Sequence, residues 1–515
     1  MNVRGPAGIL TASLLLLAAA GRAAGAETYC VSPAGEDANP GTMERPFKTI
    51  QKGLDVVKPG DACEVSAGTY KEALVLKTTG RPDARITLRS RGEEAVTVES
   101  AKQKSLRTNG RHQYYTIEGF HFVAGEHTDY EKDFDYSLDF EDGIWDGPDK
   151  KEGGNNGFIL RNCVIDGAVH FYGHDVLMEN CELRGHDAWR NGVWASFMVS
   201  YGNTFRNNRI SGYTIRGIWT MSNTDDVLIE GNTVFHCADI GIDLDGAGRP
   251  VRRARVIGNT VYDIYKEGSG IELEDAFASL VERNVIHDVA GEGIESINYG
   301  LTTWEGKPGG TDKEYRTTDT KTVLRNNVIY NADKGGIVGY SSPGLEIYNN
   351  TIVGGENGKG WFAGIAMTPT GKPQRFYSKN WRIRNNIIVL GKWPGVWMEA
   401  PDAGLLEGLE LSNNLYWSTP KRPTHYLKVG DKTIPLEEFQ KTSGQERGSI
   451  FADPMFVDAE KHDFRLREGS AAIGAGEVVD GLRDDFAGNP RPEKKPPDIG
   501  AFQFAPAGHA AAGGR

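Results

Sequence analysis

Long apolar runs are absent beyond the first residues of this chain, which excludes a protein that crosses a membrane with several helices. Ile9 to Ala20 form a single apolar stretch of roughly 12 residues, short of the 18 or so that a membrane span needs. Basic charge is also scarce. Lys and Arg number 58 against 70 Asp and Glu, a formal charge of −12, so neither nucleic acid nor an anionic membrane is expected as a partner. Only five cysteines occur, and their spacing matches no metal site. A sustained 3.6-residue period is missing, which removes a helical solenoid. No phosphate-binding glycine loop and no Ser-His-Asp arrangement is present.

What is present begins with an export signal. Arg4 precedes the short apolar run, and Ala24-Gly25-Ala26 offers small residues for cleavage, so residues 1–26 read as a signal peptide. The mature chain is expected to be exported, extracellular or periplasmic, and monomeric. Disulfides persist in such compartments. Cys163 and Cys181 each follow an Asn of the repeat described next and should stack on adjacent coils. Cys30 and Cys63 fall in two early strands, and the odd count leaves at least one thiol unpaired. Structural staples or buried thiols are expected rather than redox chemistry.

A repeat dominates the rest. FILRNCVI, VLMENCEL, TFRNNRIS, VLIEGNTVF, ARVIGNTVY, SLVERNVIH, TVLRNNVIY, LEIYNNTIV, WRIRNNIIV and LELSNNLYW all place an Asn inside alternating apolar residues. The markers are Asn162, Asn180, Asn208, Asn232, Asn259, Asn284, Asn327, Asn350, Asn386 and Asn414. Most intervals are roughly 23 to 28 residues, the range of a solenoid. The longer intervals carry inserts, at Tyr299 to Thr320 and Gly354 to Asn380. Period-two alternation punctuated by Gly and Asn predicts strands. Asn accepts the left-handed conformation of a sharp corner, and its amides can ladder from coil to coil. Gly supports the same reading, at 65 of 515 residues against a usual share of about 7%. The expected fold is all-β, a single-stranded right-handed parallel β-helix of about ten coils.

The ends need caps. Residues 27–125 read as an N-terminal cap and first coils, with one amphipathic helix marked by Phe47, Ile50, Leu54 and Val57. Residues 126–155 read as an acidic inserted loop, 156–420 as the β-helix core, 421–506 as C-terminal coils and cap, and 507–515 as a disordered tail. The stretch TYCVSPAGEDANPGTMERPFKTIQKGLDVVKPGDACEVSAGTYKEALVL resembles the N-terminal segment of secreted β-helix proteins of the pectate-lyase-like superfamily. FADPMFVD, SAAIGAG, DDFAGNPRP and PDIGAFQF resemble the closing segment of the same proteins. That resemblance implies the fold and a carbohydrate-directed function, since the superfamily holds polysaccharide lyases and glycoside hydrolases, but not one reaction.

After each Asn strand comes a second strand: AVHFY (168–172), GVWAS (192–196), GIWTM (217–221), GIDLD (241–245), GIELE (270–274), GIESI (293–297), GIVGY (336–340), GIAMT (364–368) and GVWME (395–399). Alternation points the second and fourth residues inward and the third and fifth outward. The third positions form a column, His170, Trp194, Trp219, Asp243, Glu272, Glu295, Val338, Ala366, Trp397. The fifth form another, Tyr172, Ser196, Met221, Asp245, Glu274, Ile297, Tyr340, Thr368, Glu399. Stacked like charges on adjacent strands are destabilising, so five neighbouring carboxylates without a Lys or Arg in either column point to a site. Asp243, Glu272 and Glu295 are the expected acid/base carboxylates, supported by Asp245 and Glu274. Trp194, Trp219 and Trp397 would be sugar platforms, with His170, Tyr172, Tyr340 and Trp304 also at the substrate.

Glycoside hydrolysis by a carboxylate pair is the first reading, and it requires no cofactor. A calcium-dependent lyase or epimerase acting on a uronate glycan is the second, with the metal at Asp243, Glu272 and Glu274. GIELE resembles the paired-Glu calcium strand of the chondroitinase B and alginate lyase family, but that family's following Lys has no counterpart in DAFASLVERN. Lys266, Lys334 and His170 remain as bases for that reading. The third reading is a non-catalytic glycan-binding or surface protein. Scarce basic residues favour a neutral glycan over a polyuronate. The acidic insert from Glu126 to Glu152 lacks EF-hand spacing and reads as a flap, and His174, His186 and His287 are expected only to hydrogen-bond.

Overall fold

The structure, a computed structural model, describes residues 25–101, 104–109, 113–125, 138–140, 156–195, 200–221, 224–246, 250–298, 321–354, 363–368, 378–390, 395–398, 407–418 and 427–506. The signal peptide apart from its last residues, most of the acidic insert, Trp304 and the tail from 507 lie outside them, as does the Trp194 side chain. The chain winds as a right-handed parallel β-helix, with coil-to-coil pairing in three long parallel ladders and a short fourth through Tyr201, Asp225, Arg252 and Phe277. One runs through Ile242, Ile271, Ile294, Ile337 and Ile365. The second runs through Ile229, Val256, Val281, Leu324 and Ile347, and the third through Val234, Val261, Ile286, Ile329 and Ile352. These residues are all buried, so the core is a shaft of stacked aliphatic side chains inside the coil.

The corner after the second ladder divides its work between two adjacent residues. A positive φ falls on Asn207, Gly231, Gly258, Arg283, Asn326, Asn349, Asn385 and Asn413. The next residue, at Asn208, Asn232, Asn259, Asn284, Asn327, Asn350, Asn386 and Asn414, points inward and forms the amide ladder. Asn259 donates through both its backbone nitrogen and its Nδ2 to Asn284 Oδ1, at 2.9 and 3.0 Å, and Asn284 does the same to Asn327. This corrects the marker set. Asn162 and Asn180 have positive φ and occupy the corner position, and Cys163 and Cys181 take the ladder position instead. The two thiols stack as expected, since Glu182 N donates to Cys163 O, but all five cysteines are free and buried and none acts as a staple.

A second repeated device sits where the first ladder begins. An added Cβ on Gly241 would lie 2.3 Å from Val261 Cγ1 and 2.6 Å from Gly270 O, and one on Gly270 would lie 2.4 Å from Ile286 Cγ2 and 2.7 Å from Gly293 O. The glycine in each Gly-Ile pair is therefore a demand of space at a tight bend.

The N-terminal helix, Ile50–Val56, buries Ile50 and Leu54 and is capped by the Thr49 side chain, which accepts from Lys52 N. A second helix not read from the sequence, Leu436–Ser443, packs Leu436 and Phe439 near the other end. The Asn ladder stops there, where Asn414 N donates to Ser449 Oγ and Asn414 Nδ2 to Glu446 Oε2. The last segment is less a cap than a strap. Backbone carbonyls of Asp484, Asp498, Glu477 and Ala475 accept from the corner amides of Asn326, Asn349, Asn385 and Asn413, so it runs lengthwise along the coils. Leu138–Phe140, inside the stretch read as an inserted loop, is a strand that pairs with Val169–Phe171 and extends the first ladder.

Candidate active site

The first ladder's outward side carries the carboxylates in the register expected. Asp243 pairs with Glu272 and Asp245 with Glu274, and Glu272 then pairs with Glu295. Parallel strands stand about 4.8 Å apart, so three carboxyl groups follow one another on consecutive coils. The surroundings differ from an open platform. Asp243 is fully covered and Asp245 nearly so, while Glu272, Glu274 and Glu295 are half-buried. The acids thus form one strip along the ladder, with Asp243 covered and the three glutamates partly open to solvent.

Burial works against charge at Asp243, Glu272, Glu274 and Glu295. Desolvation is the main cause that lifts Asp243 to about 7, against the pull of the Arg216 guanidinium and with the push of Asp245. Glu272 is raised well above its ordinary value by desolvation and then by Asp243, Glu295 and Glu274. Glu274 rises to about 9 by desolvation and by Asp245 and Asp243. Glu295 rises to about 7, driven by desolvation and Glu292 and held back by the Ser269 hydroxyl and by Lys334.

Three groups that join these carboxylates were not found from the sequence. Arg216 Nε donates to Asp243 Oδ2, and its guanidinium lies 4.5 Å from the centre of the Trp219 ring. Ser269 Oγ donates to Glu295 Oε2 at 2.6 Å and lies 3.4 Å from Glu292 Oε2. Glu292 Oε1 accepts from the Tyr340 hydroxyl at 3.0 Å. Arg216, Ser269 and Glu292 each stand immediately before a Gly-Ile pair. Simple alternation points that residue inward. At the bend, however, the Gly and the Ile that follows it both face the core, so alternation breaks and the preceding residue turns outward. The signal was a third column, one place before the glycine. It supplies the cation that the other two lack.

The remaining expected residues are scattered. Trp219 is buried, its Nε1 donates to Asp245 Oδ2 at 3.0 Å, and its ring faces Arg216, so it offers no open face to a sugar. Trp397 is half-buried at the far end of the column, beyond the covered Val338 and Ala366, with Lys428 Nζ 4.4 Å from its ring centre. His170 is buried and Tyr172 half-buried, both four coils before Glu272. Lys334 favours the charge of Glu295, with its Nζ donating to Glu267 O at 2.8 Å, whereas Lys266 is exposed. His287 does more than hydrogen-bond: it stacks between Tyr262 and Tyr330, with centroids 5.0 and 4.8 Å away.

The residues named for calcium, Asp243, Glu272 and Glu274, stand in ladder register, two on one strand and one on the coil before it. Asp243 is already held by Arg216, and no three His, Cys, Asp or Glu among the described residues converge as metal ligands. The carboxyls follow the ladder instead of surrounding one point.

The fold and these residues define a right-handed parallel β-helix with a partly buried strip of carboxylates on one sheet. The family described as "Right handed beta helix region" matches residues 152–306, and a "Protein of unknown function (DUF1565)" family matches residues 33–76. An uncharacterized protein of Bacillus subtilis (strain 168), YwoF, is 24% identical over 483 residues, covering 86% of this chain and 91% of that protein. Among solved structures, XylC in complex with xylose aligns over 93% of this chain and 98% of its own, with a TM-score of 0.52 and 12% identity. Pectate lyase Pel9A aligns over 93% and 96%, with a TM-score of 0.40 and 11% identity. The A-module of the mannuronan C-5 epimerase AlgE4 of Azotobacter vinelandii aligns over 78% and 95%, with a TM-score of 0.40 and 14% identity. Among the described residues no helix is long and apolar enough to cross a membrane.

Proposed function

We propose that this protein is an exported glycan-cleaving enzyme, a glycoside hydrolase whose working pair is Glu272 and Glu295. The observation that carries this reading is their contrast within one register pair. Glu272 accepts no hydrogen bond among the described residues and is pushed far up, whereas Glu295 receives the Ser269 hydroxyl at 2.6 Å and feels Lys334. Two neighbouring carboxyls with values driven apart supply an acid and a base. Glu272 gives its proton to the glycosidic oxygen as that bond breaks, and the Glu295 carboxylate attacks the anomeric carbon. Water then releases the sugar, returning a proton to Glu272. Adjacent coils favour the roughly 5–5.5 Å separation of a retaining enzyme. Asp243, being covered, acts from behind by keeping Glu272 protonated, with Asp245 and Glu274 adding to the same field. XylC, captured with xylose, has the same fold and supports a sugar ligand. The scarcity of basic side chains around the acidic strip favours a neutral glycan.

Product analysis on a glycan panel tests this. New reducing ends with retained anomeric configuration, and a loss of about 10²- to 10⁴-fold in Glu272→Gln and in Glu295→Gln, are expected. Full activity in both variants overturns the pair. Lys334 beside Glu295 favours a second reading, β-elimination with Lys334 as the base. Unsaturated uronide products, abolished in Lys334→Ala, would establish it. Binding without any cleavage would leave the non-catalytic reading.

A further inference from the structure

The acidic strip contains a hydroxyl with two competing acceptors. Ser269 is fully buried and has one proton to give, and two carboxylates reach it: Glu295 Oε2 at 2.6 Å and Glu292 Oε2 at 3.4 Å. Glu292 is also buried, and the Tyr340 hydroxyl holds its other oxygen at 3.0 Å. We propose that Ser269, Glu292 and Tyr340 form a positioning relay in which the Ser269 hydroxyl turns between Glu295 and Glu292 as Glu295 gains and loses charge. This rests on the role of Glu295 proposed above.

The relay follows from proton counting. When Glu295 is ionised, it is the nearer acceptor and takes the Ser269 proton in hydrogen bonding, which fixes its orientation. When Glu295 becomes neutral, by protonation or by bonding to a sugar, it no longer needs a donor, and Glu292 is the buried oxygen left poorly satisfied. The hydroxyl then turns about its own C–O bond to Glu292. Ser269 keeps its proton throughout, and no bond other than the hydrogen bond changes. Tyr340 makes the exchange possible by keeping Glu292 in reach. The charged and titratable groups that face Glu295 are Glu272 on the preceding coil, Glu292 on its own strand, Asp239 and Lys334. Ser269 and Lys334 favour its charge, and Glu292 and Asp239 oppose it, so the two halves of the relay act with opposite sign.

Opposite signs give the test. The full chain is prepared with glutamate labelled with ¹³C at the side-chain carboxyl, and the Glu295 resonance is assigned by its loss in Glu295→Gln. Ser269→Ala removes the donor and should move the Glu295 titration midpoint alkaline by about one pH unit, a tenfold change in proton affinity. Glu292→Gln removes the opposing charge and should move it acid by a similar amount. Tyr340→Phe frees Glu292 to compete for Ser269 and should move it alkaline, whereas Ser269→Thr, which keeps the hydroxyl, should restore the wild-type midpoint. Shifts of the same sign in Ser269→Ala and Glu292→Gln, or no shift in either, overturn the relay. The readout needs no substrate. Titration shifts as expected without cleavage of any glycan would sink the hydrolase reading and leave the relay standing. Cleavage without shifts would do the reverse.

Discussion

Removing Arg216 should produce a stability loss that grows with pH, and the structure sets its size. Asp243 is fully covered, and Arg216 is the one cation paired with it among the described residues. Its folded value near 7 stands above the ordinary 3.8, so Asp243 favours the folded state at low pH. That contribution fades as pH rises toward 7, where the folded carboxyl finally ionises against Arg216. In Arg216→Met the carboxyl has no cation and keeps its proton well above 7. Below 7 both proteins hold Asp243 protonated, and the variant loses only the guanidinium stacked on Trp219, about 1 kcal/mol. Above 7 the wild type ionises and the variant does not, which costs the variant about 1.4 kcal/mol more for each pH unit. The expected loss is thus about 1 kcal/mol at pH 6 and about 3–4 kcal/mol at pH 9, within the range for breaking a buried pair. Urea unfolding of the full chain at both pH values measures it, since urea leaves charges unscreened. Arg216→Met with Asp243→Asn should remove the pH dependence, because no charge remains to strand. Equal losses at pH 6 and 9, or a double variant as pH-sensitive as the single one, would refute the reasoning.

Two further expectations concern the scaffold. Asn284→Ala deletes an amide whose Oδ1 accepts from Asn259 N and Nδ2 and whose Nδ2 donates to Val256 O and Asn327 Oδ1. Leaving those buried groups unsatisfied should cost about 2–4 kcal/mol in urea unfolding. Gly270→Ala forces a methyl to within 2.4 Å of Ile286 Cγ2 and 2.7 Å of a backbone carbonyl. It should destabilise by about 1–3 kcal/mol and misplace Glu272 two residues on, so circular dichroism melting and activity should fall together.

The repeating alternation fixed most of this architecture in advance. A one-residue slip in a strand would expose its whole aliphatic set, so the inward Ile and Val columns specified the register, and with it the alignment of Asp243, Glu272 and Glu295. The N-terminal helix was legible for the same reason, its apolar residues falling at helical spacing. What escaped was whatever depended on a break in period or on distant chain. Arg216, Ser269 and Glu292 turn outward only because the following glycine packs into the coil at a bend. The strap from Ala475 to Gly500 meets corner Asn residues 62 to 158 positions away, a pairing that no local pattern encodes. Burial itself was the largest surprise. Sequence alone put five carboxylates on one face of one sheet. Only the folded coil decided that Asp243 is shut behind an arginine while Glu272 and Glu295 stay partly open, because depth comes from what covers a face, and alternation states only which face it is.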